Sequence, residues 1–93
     1  MRIKNINGTS KNKCNCGSWL QHWKNYSGIT PSCCSEINCF KEDIEGAHVQ
    51  KCNSDMNWYI VPLCKQHNKS LGEIEVDDLT VLIPANIQET CGK

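Results

Sequence analysis

Eight cysteines in a chain of 93 residues are the feature that most restricts how this sequence can fold. A chain of this length is expected to form one domain, since domains typically contain about 100–200 residues. A domain this small has little interior, so its hydrophobic core contributes only about 3–5 kcal/mol to stability. The aromatic content of 6% and the mean hydropathy of −0.51 reduce that contribution further. We therefore expect cross-links, either disulfides or a bound metal ion, to stabilise the fold.

The N-terminal residues favour a metal ion over disulfides. Disulfide-rich domains are secreted and normally follow an apolar signal segment. The first 13 residues, MRIKNINGTSKNK, contain no such segment, and no apolar run long enough to span a membrane occurs in the sequence. We therefore expect a cytoplasmic protein, in which cysteine and histidine more often bind metal. The abundance of Asn, Ile and Lys indicates a bacterial or phage source. A disulfide scaffold remains the alternative.

The net charge of zero conceals a basic beginning and an acidic end. Residues 1–35 carry five basic residues and no acidic one, whereas residues 73–93 carry five acidic residues and one lysine. A basic segment can contact phosphate groups. We predict a basic polar arm over residues 1–13, with Lys11 and Lys13 as nucleic-acid contacts, followed by a single zinc-binding domain over 14–93. A solvated arm without a ligand is the alternative.

Hydrophobic spacing predicts short helices and strands rather than long ones. Trp19, His22, Trp23 and Tyr26 recur at helical spacing, which predicts a helix over 18–26 that ends at Gly28 and packs its aromatic face into the core. Two strands are predicted over 46–51 and 57–63, followed by a two-turn helix over 64–72. An edge strand over 73–76 and a further apolar run over 79–83 complete the prediction.

Two closely spaced pairs of residues predict a first zinc site. Zinc prefers four sulfur and nitrogen ligands in a tetrahedron. Cys64 and His67 form a C-x-x-H pair at the start of the second predicted helix, where residues three apart share a face. Cys34 and Cys39 form a turn that provides the other pair, and Cys33 could replace its neighbour Cys34. The alternative is a group of buried free cysteines beside a surface histidine.

The two sequence runs around this pair resemble an HNH-type zinc finger. They are EGAHV at 45–49 and WYIVPLCKQHN at 58–68, and the resemblance covers about residues 33–72. It implies an α+β fold, namely a small zinc-stapled ββα domain of treble-clef type. Here that domain would have an added N-terminal helix and C-terminal strand segments. In this family the ββα unit holds a nuclease site.

The resemblance also implies roles for three residues. His48 matches the family's general-base histidine, and Asn68 matches a residue that helps to hold a catalytic divalent ion such as Mg²⁺ or Mn²⁺. Many family members have an acidic metal ligand immediately before the histidine, a position that is Ala47 here, so Glu45 is the acidic residue assigned to the metal. A histidine of near-neutral pKa can take a proton from water while the ion polarises the phosphate.

The function implied is that of an HNH-like zinc-finger protein that acts on nucleic acid as a divalent-metal-dependent nuclease. Lys65 and Lys69 would face phosphate, since residues four apart share a helix face. The alternative is a catalytically inactive zinc-binding interaction module with a protein partner, such as a small phage-type inhibitor of a nucleic-acid-handling protein.

A second zinc site is predicted from the remaining cysteines, which raises the expected number of zinc ions from one to two. Its ligands would be Cys14, Cys16, His22 and Cys91. Alternatively, His22 is a packed core histidine, and Cys91 forms a disulfide with one of the other two cysteines. His48 is an alternative ligand of this second metal, or a histidine that supports the fold. Cys52 is expected to be a free surface thiol.

Overall fold

The fold is of the α+β class, as predicted, with one antiparallel sheet and two helices. The computed structural model describes residues 1–6, 18–52 and 56–85. Within them the elements are β1 (Arg2–Asn5), α1 (Trp19–Ser27), β2 (Ile44–Lys51), β3 (Tyr59–Cys64), α2 (Lys65–Asn68), β4 (Glu73–Glu75) and β5 (Ile83–Pro84). Neighbouring strands are antiparallel, and their order in the sheet is β4-β1-β2-β3-β5. Neither helix has the length and apolar character needed to cross a membrane within these described ranges.

Helix α1 confirms the predicted helix and its ends. The Ser18 side chain accepts a hydrogen bond of 3.0 Å from the backbone N–H of Gln21, which is the usual N-cap arrangement. Gly28 ends the helix in the left-handed conformation at φ 71°, which glycine adopts without a steric penalty. The aromatic face is only partly in the core, because Trp23 is buried whereas Tyr26 is 47% exposed.

Helix α2 is shorter than the two turns predicted for it, since it comprises four residues. The Asn5 side chain donates hydrogen bonds to the carbonyl oxygens of His67 and Ser70, at 2.7 and 3.1 Å. The last carbonyl groups of a helix have no partner within the helix. Here the Asn5 side chain of β1 supplies that partner, so the helix can end after one turn. The predicted β2–β3 hairpin is confirmed, and β4 is an edge strand, as expected.

Residues 2–5 correct the prediction of a polar arm over 1–13. They form β1, an interior strand that pairs with both β2 and β4. Ile3 is fully buried between Arg2 and Lys4, which are exposed, and this alternation is the signature of a half-buried strand. Arg2 contacts Glu73 and Glu75 of β4, each at 3.3 Å. This arginine is therefore engaged by acidic side chains of the sheet itself. Residues 7–13 lie outside the described residues.

The sheet carries a separate apolar cluster on each face. Helix α1 covers one face, where Trp23 packs with Ile60 and Ile83. The Trp23 indole N–H also donates to the carbonyl oxygen of Val81 at 2.9 Å. The opposite face carries the larger cluster, formed by Ile3, Cys34, Ala47, Val49, Val61, Leu63, Cys64, Ile74 and Val76.

Gly46 allows α1 to lie directly against the backbone of β2. A Cβ atom at this position would lie 2.4 Å from the backbone nitrogen of Leu20 and 2.4 Å from the carbonyl carbon of Trp19. Both atoms belong to helix backbone, so no side chain can rotate away to make room. The glycine thus sets how closely the helix approaches the sheet.

Gly46→Ala is expected to lower the free energy of unfolding by about 1–3 kcal/mol, which is the usual cost of overpacking. Gly72→Ala is the matched control, since nothing lies within 4 Å of the added Cβ there. Its effect should stay below about 0.5 kcal/mol. Urea denaturation followed by tryptophan fluorescence measures both variants. Equal stability of the two variants would contradict the close packing of α1 on β2.

Candidate metal centre

The candidate metal centre lies where the loop 34–39 meets the end of β3. Backbone hydrogen bonds shape this loop, with the N–H of Cys34 donating to Lys41 at 2.8 Å and the N–H of Cys39 donating to Glu36 at 3.0 Å. Cys64 ends β3 and is the N-cap of α2. Its sulfur accepts a hydrogen bond of 3.4 Å from the backbone N–H of His67. The strand end and the single helical turn therefore present Cys64 and His67 together.

The four predicted ligands converge in space. Sulfur and nitrogen atoms of Cys34, Cys39, Cys64 and His67 all lie within 4.8 Å of one another. Nδ1 of His67 lies 3.4 Å from the Cys34 sulfur and 3.2 Å from the Cys64 sulfur. The Cys39 and Cys64 sulfurs are 3.9 Å apart. Metal–ligand bonds of zinc length place two sulfurs of a tetrahedron about 3.8 Å apart, and a sulfur and a nitrogen about 3.5 Å apart. The three separations given are close to these edges.

The donor set of three thiols and one imidazole is compatible with a structural metal ion such as zinc. Structural zinc sites are closed tetrahedra of Cys and His, whereas hard cations such as Mg²⁺ and Ca²⁺ require oxygen ligands. Cys34 is the member of the 33–34 pair that joins the group, and it is buried, whereas Cys33 is half-buried and outside the group. The five cysteines in the described ranges form no disulfide.

The surroundings of two of the thiols act on their ionisation in opposite directions. Burial raises the pKa of the Cys34 thiol to about 12. Burial also acts to raise the pKa of Cys64, but hydrogen bonds, with that from the His67 backbone N–H foremost, lower it on balance. A coordinated thiol is deprotonated by the metal itself, so a bound ion overcomes the cost at Cys34.

Two residues that support the centre were not identified from the sequence. Glu36 places a carboxylate oxygen 3.9 Å from Nε2 of His67, the ring nitrogen that faces away from the sulfurs. A carboxylate near the outer nitrogen is a common neighbour of a metal-binding histidine, and here the separation is longer than a hydrogen bond. Asn5 fixes the same helix turn through the carbonyl of His67. The alternation Arg2-Ile3-Lys4 was the sequence signal for the strand that carries Asn5.

The three residues to which the resemblance assigns catalysis are not brought together. Asn68 donates a hydrogen bond of 2.7 Å to a carboxylate oxygen of Glu45, so these two residues meet beside the metal centre. His48 is three residues beyond Glu45 on β2, and side chains alternate along a strand, so its ring points to the opposite face. There it contacts Trp19 and Trp58, with ring centroids 4.5 and 6.2 Å away.

His48 is 7% exposed, and its Nε2 is buried without a hydrogen-bond partner among the residues the structure describes. Burial lowers the pKa of this histidine, and the neighbouring His22 lowers it further. The ring is therefore neutral near pH 7. The assignment of His48 as general base stays a prediction from the resemblance.

The second predicted metal site can be followed only at His22. Cys14, Cys16 and Cys91 lie outside the described residues, as do Lys11 and Lys13. His22 is fully buried on α1, and its Nε2 lies 2.9 Å from the carbonyl oxygen of Pro84. Lys65 and Lys69 are both exposed on α2 and at its end.

The chain matches no protein-family model, no curated protein and no solved structure.

Cys34→Ser is expected to abolish metal binding at this centre, whereas Cys33→Ser should leave it intact. The physical reason is that only Cys34 directs its sulfur to the other three ligands. Titration with Co²⁺ tests this, because tetrahedral thiolate–cobalt complexes have strong visible and near-ultraviolet absorption. Equal spectra for the two variants, or a loss in Cys33→Ser alone, would contradict the ligand assignment.

Proposed function

We propose that Cys34, Cys39, Cys64 and His67 bind a structural zinc ion in a module of HNH-like type. The observation that supports this is that three sulfurs and the imidazole of His67 lie within 4.8 Å of one another, with three separations close to those of a zinc tetrahedron. When bound, zinc supplies folding free energy, because the separated ligands of an unfolded chain do not form a site. The ligands themselves join the loop 34–39 to the end of β3 and to the first turn of α2.

We further propose that this module binds nucleic acid through the surface beside the zinc site. That surface, called here the lysine surface, consists of Phe40, Lys41, Lys65 and Lys69. Lys41 is held against α2 by a hydrogen bond from its Nζ to the side-chain oxygen of Gln66. Phe40 is 79% exposed, although its ring is large and apolar. Lysines can contact phosphates while an exposed aromatic ring stacks on a base, which is the combination used for single strands.

The charge near the lysine surface limits its affinity. Glu42 and Asp43 directly follow Lys41 and are exposed. Three lysines against these two acidic residues leave a charge of about +1, and Glu36 and Glu45 beside α2 reduce it further, so non-specific binding should be weak and should fall as salt is raised.

Binding without cleavage is the version of this function that the geometry favours. A general base must come within hydrogen-bonding distance of the water that it activates. The His48 ring lies under Trp19, on the face of the sheet opposite to the Glu45–Asn68 pair. A phosphate held by that pair and the lysines would therefore be separated from the imidazole by the sheet.

Reversing the charge of two lysines tests nucleic-acid binding. Lys65→Glu/Lys69→Glu should weaken binding of a fluorescent single-stranded oligonucleotide and lower the salt slope by about 1.4, since each phosphate contact on a single strand contributes about 0.7. Lys4→Glu/Lys24→Glu changes the net charge equally at positions outside the lysine surface and serves as the control. Fluorescence anisotropy at several salt concentrations gives both quantities. Equal weakening by the two double variants would contradict binding at the lysine surface.

A cleavage assay separates the binding module from a nuclease. The zinc-loaded protein is incubated with plasmid, single-stranded DNA and RNA in the presence of Mg²⁺ or Mn²⁺, and no cleavage is expected. Cleavage that disappears in His48→Ala would establish the nuclease and overturn the non-catalytic proposal. If neither binding nor cleavage occurs, the protein-binding alternative takes the place of nucleic-acid recognition.

A further inference from the structure

We propose that Cys39 and Cys64 form a disulfide in exchange for the metal ion, so that the candidate metal centre is also a redox switch. The oxidant is a small disulfide, for which glutathione disulfide is the probe. The inference rests on the proposed zinc centre, because the disulfide and the ion compete for the same two sulfur atoms. It gives the centre a regulated release of metal, which a purely structural zinc site does not have.

The two sulfurs are already neighbours in the folded chain. The Cys39 and Cys64 sulfurs are 3.9 Å apart, and a disulfide bond is about 2.05 Å long. Forming the bond therefore requires an approach of about 1.9 Å, the difference between these two lengths. Cys64 ends β3, whereas Cys39 lies in the loop 34–39, so the loop supplies most of the movement. Both cysteines are free thiols in the structure.

Solvent exposure determines which sulfur of the centre reacts first. Cys64 is fully buried and Cys34 is 4% exposed, whereas Cys39 is half-buried. Attack on a disulfide requires access to it, so Cys39 is the cysteine that meets the oxidant. Cys64 has no such access, but it is next to the sulfur that has reacted.

The reaction proceeds in two thiol–disulfide exchanges that start from the metal-free thiols. The Cys39 sulfur loses its proton and attacks one sulfur of glutathione disulfide, which breaks that S–S bond and releases one glutathione thiolate. The Cys64 sulfur then loses its proton and attacks the Cys39 sulfur of the mixed disulfide, which releases the second glutathione thiolate. Two protein thiols are thus oxidised to one disulfide, and one glutathione disulfide is reduced to two glutathione molecules, which take up the two protons.

The disulfide replaces only part of the connection that four ligands make. It joins the loop 34–39 to the end of β3, but it includes neither Cys34 nor His67. Nδ1 of His67 lies 3.4 and 3.2 Å from the Cys34 and Cys64 sulfurs, which is where a shared ion would hold it. Oxidation therefore keeps the loop attached to the sheet and releases the imidazole on α2 from the centre.

The test is to find the glutathione buffer that oxidises half of the unmodified chain, at several free zinc concentrations set by a chelator. The ratio of glutathione disulfide to the square of reduced glutathione describes each buffer. One ion competes with one disulfide, so this ratio at half-oxidation should rise tenfold for each tenfold rise in free zinc above its dissociation constant. The shift equals about 30 mV per tenfold change.

Peptide mapping identifies the bond that forms in these buffers. Free thiols are blocked with iodoacetamide, and the chain is digested with trypsin and with a protease that cuts after Glu and Asp. Cys39 and Cys64 then lie on separate peptides that contain no other cysteine. Mass spectrometry should detect these two peptides joined in the oxidised chain and separate after reduction.

Cys34→Ser is the matched variant, because it removes one metal ligand and keeps both sulfurs of the disulfide. It should still form the bond, but at a glutathione ratio that no longer changes with zinc. Cys33→Ser lies outside the ligand group and should behave like the unmodified chain. The measurement on the unmodified chain does not depend on the folding of either variant.

Two results would overturn the switch and leave the zinc centre standing. One is a half-oxidation ratio that stays constant with zinc in a chain that binds zinc. The other is an oxidised chain in which Cys39 and Cys64 are not joined. A reduced chain that binds no zinc would instead refute the zinc centre, and the switch with it.

Discussion

Cys64 connects the buried strand β3 to two segments that have little apolar packing of their own. It ends β3, caps α2, and faces the thiols of the loop 34–39. Helix α2 has four residues, none of them buried, and an isolated helix shorter than about 12–15 residues is marginal in water. The loop exposes Ile37, and Phe40 beyond it is also exposed. Neither segment buries a large apolar side chain. Backbone hydrogen bonds from the loop to Pro62 and Glu75 and the Asn5 hydrogen bonds to α2 hold them where the four side chains converge.

The N-terminal strand extends this dependence to the far side of the sheet. β1 buries Ile3 between its two neighbouring strands, and Asn5 at its end donates a hydrogen bond to the carbonyl of His67, a candidate ligand. Residues of β1 therefore hold the helix that carries this candidate ligand. In the same way, Gly46 couples β2 to α1 on the other face. Each face thus has one helix, and each helix is held by contacts from the strands beneath it.

Local signals in the sequence predicted most of the elements and the four candidate ligands, and long-range contacts account for what they missed. The helical spacing of Trp19, His22 and Trp23 and the cap at Gly28 act over a few residues, so they can be recognised directly. The C-x-x-H pair is equally local. The placement of β1 depends instead on pairing with β4, about 70 residues later in the chain. Four residues with one apolar side chain do not predict such a partner. The length of α2 likewise depends on Asn5, which is 62 residues from His67.

Strand geometry explains why the residues assigned by the resemblance are divided between two sites. β2 and β3 pair without interruption from Ile44 opposite Cys64 to Val49 opposite Tyr59, so no bulge shifts the alternation of side chains. Glu45 therefore shares a face with Ala47, Val49 and the metal centre, while His48 shares the other face with Gly46 and lies beneath α1. When two residues of a strand are an odd number of positions apart, their side chains lie on opposite faces of the sheet. Strand β2 therefore contributes to two different chemical environments. On one face Glu45 pairs with Asn68 beside the thiols, and on the other face His48 is buried near His22 under α1.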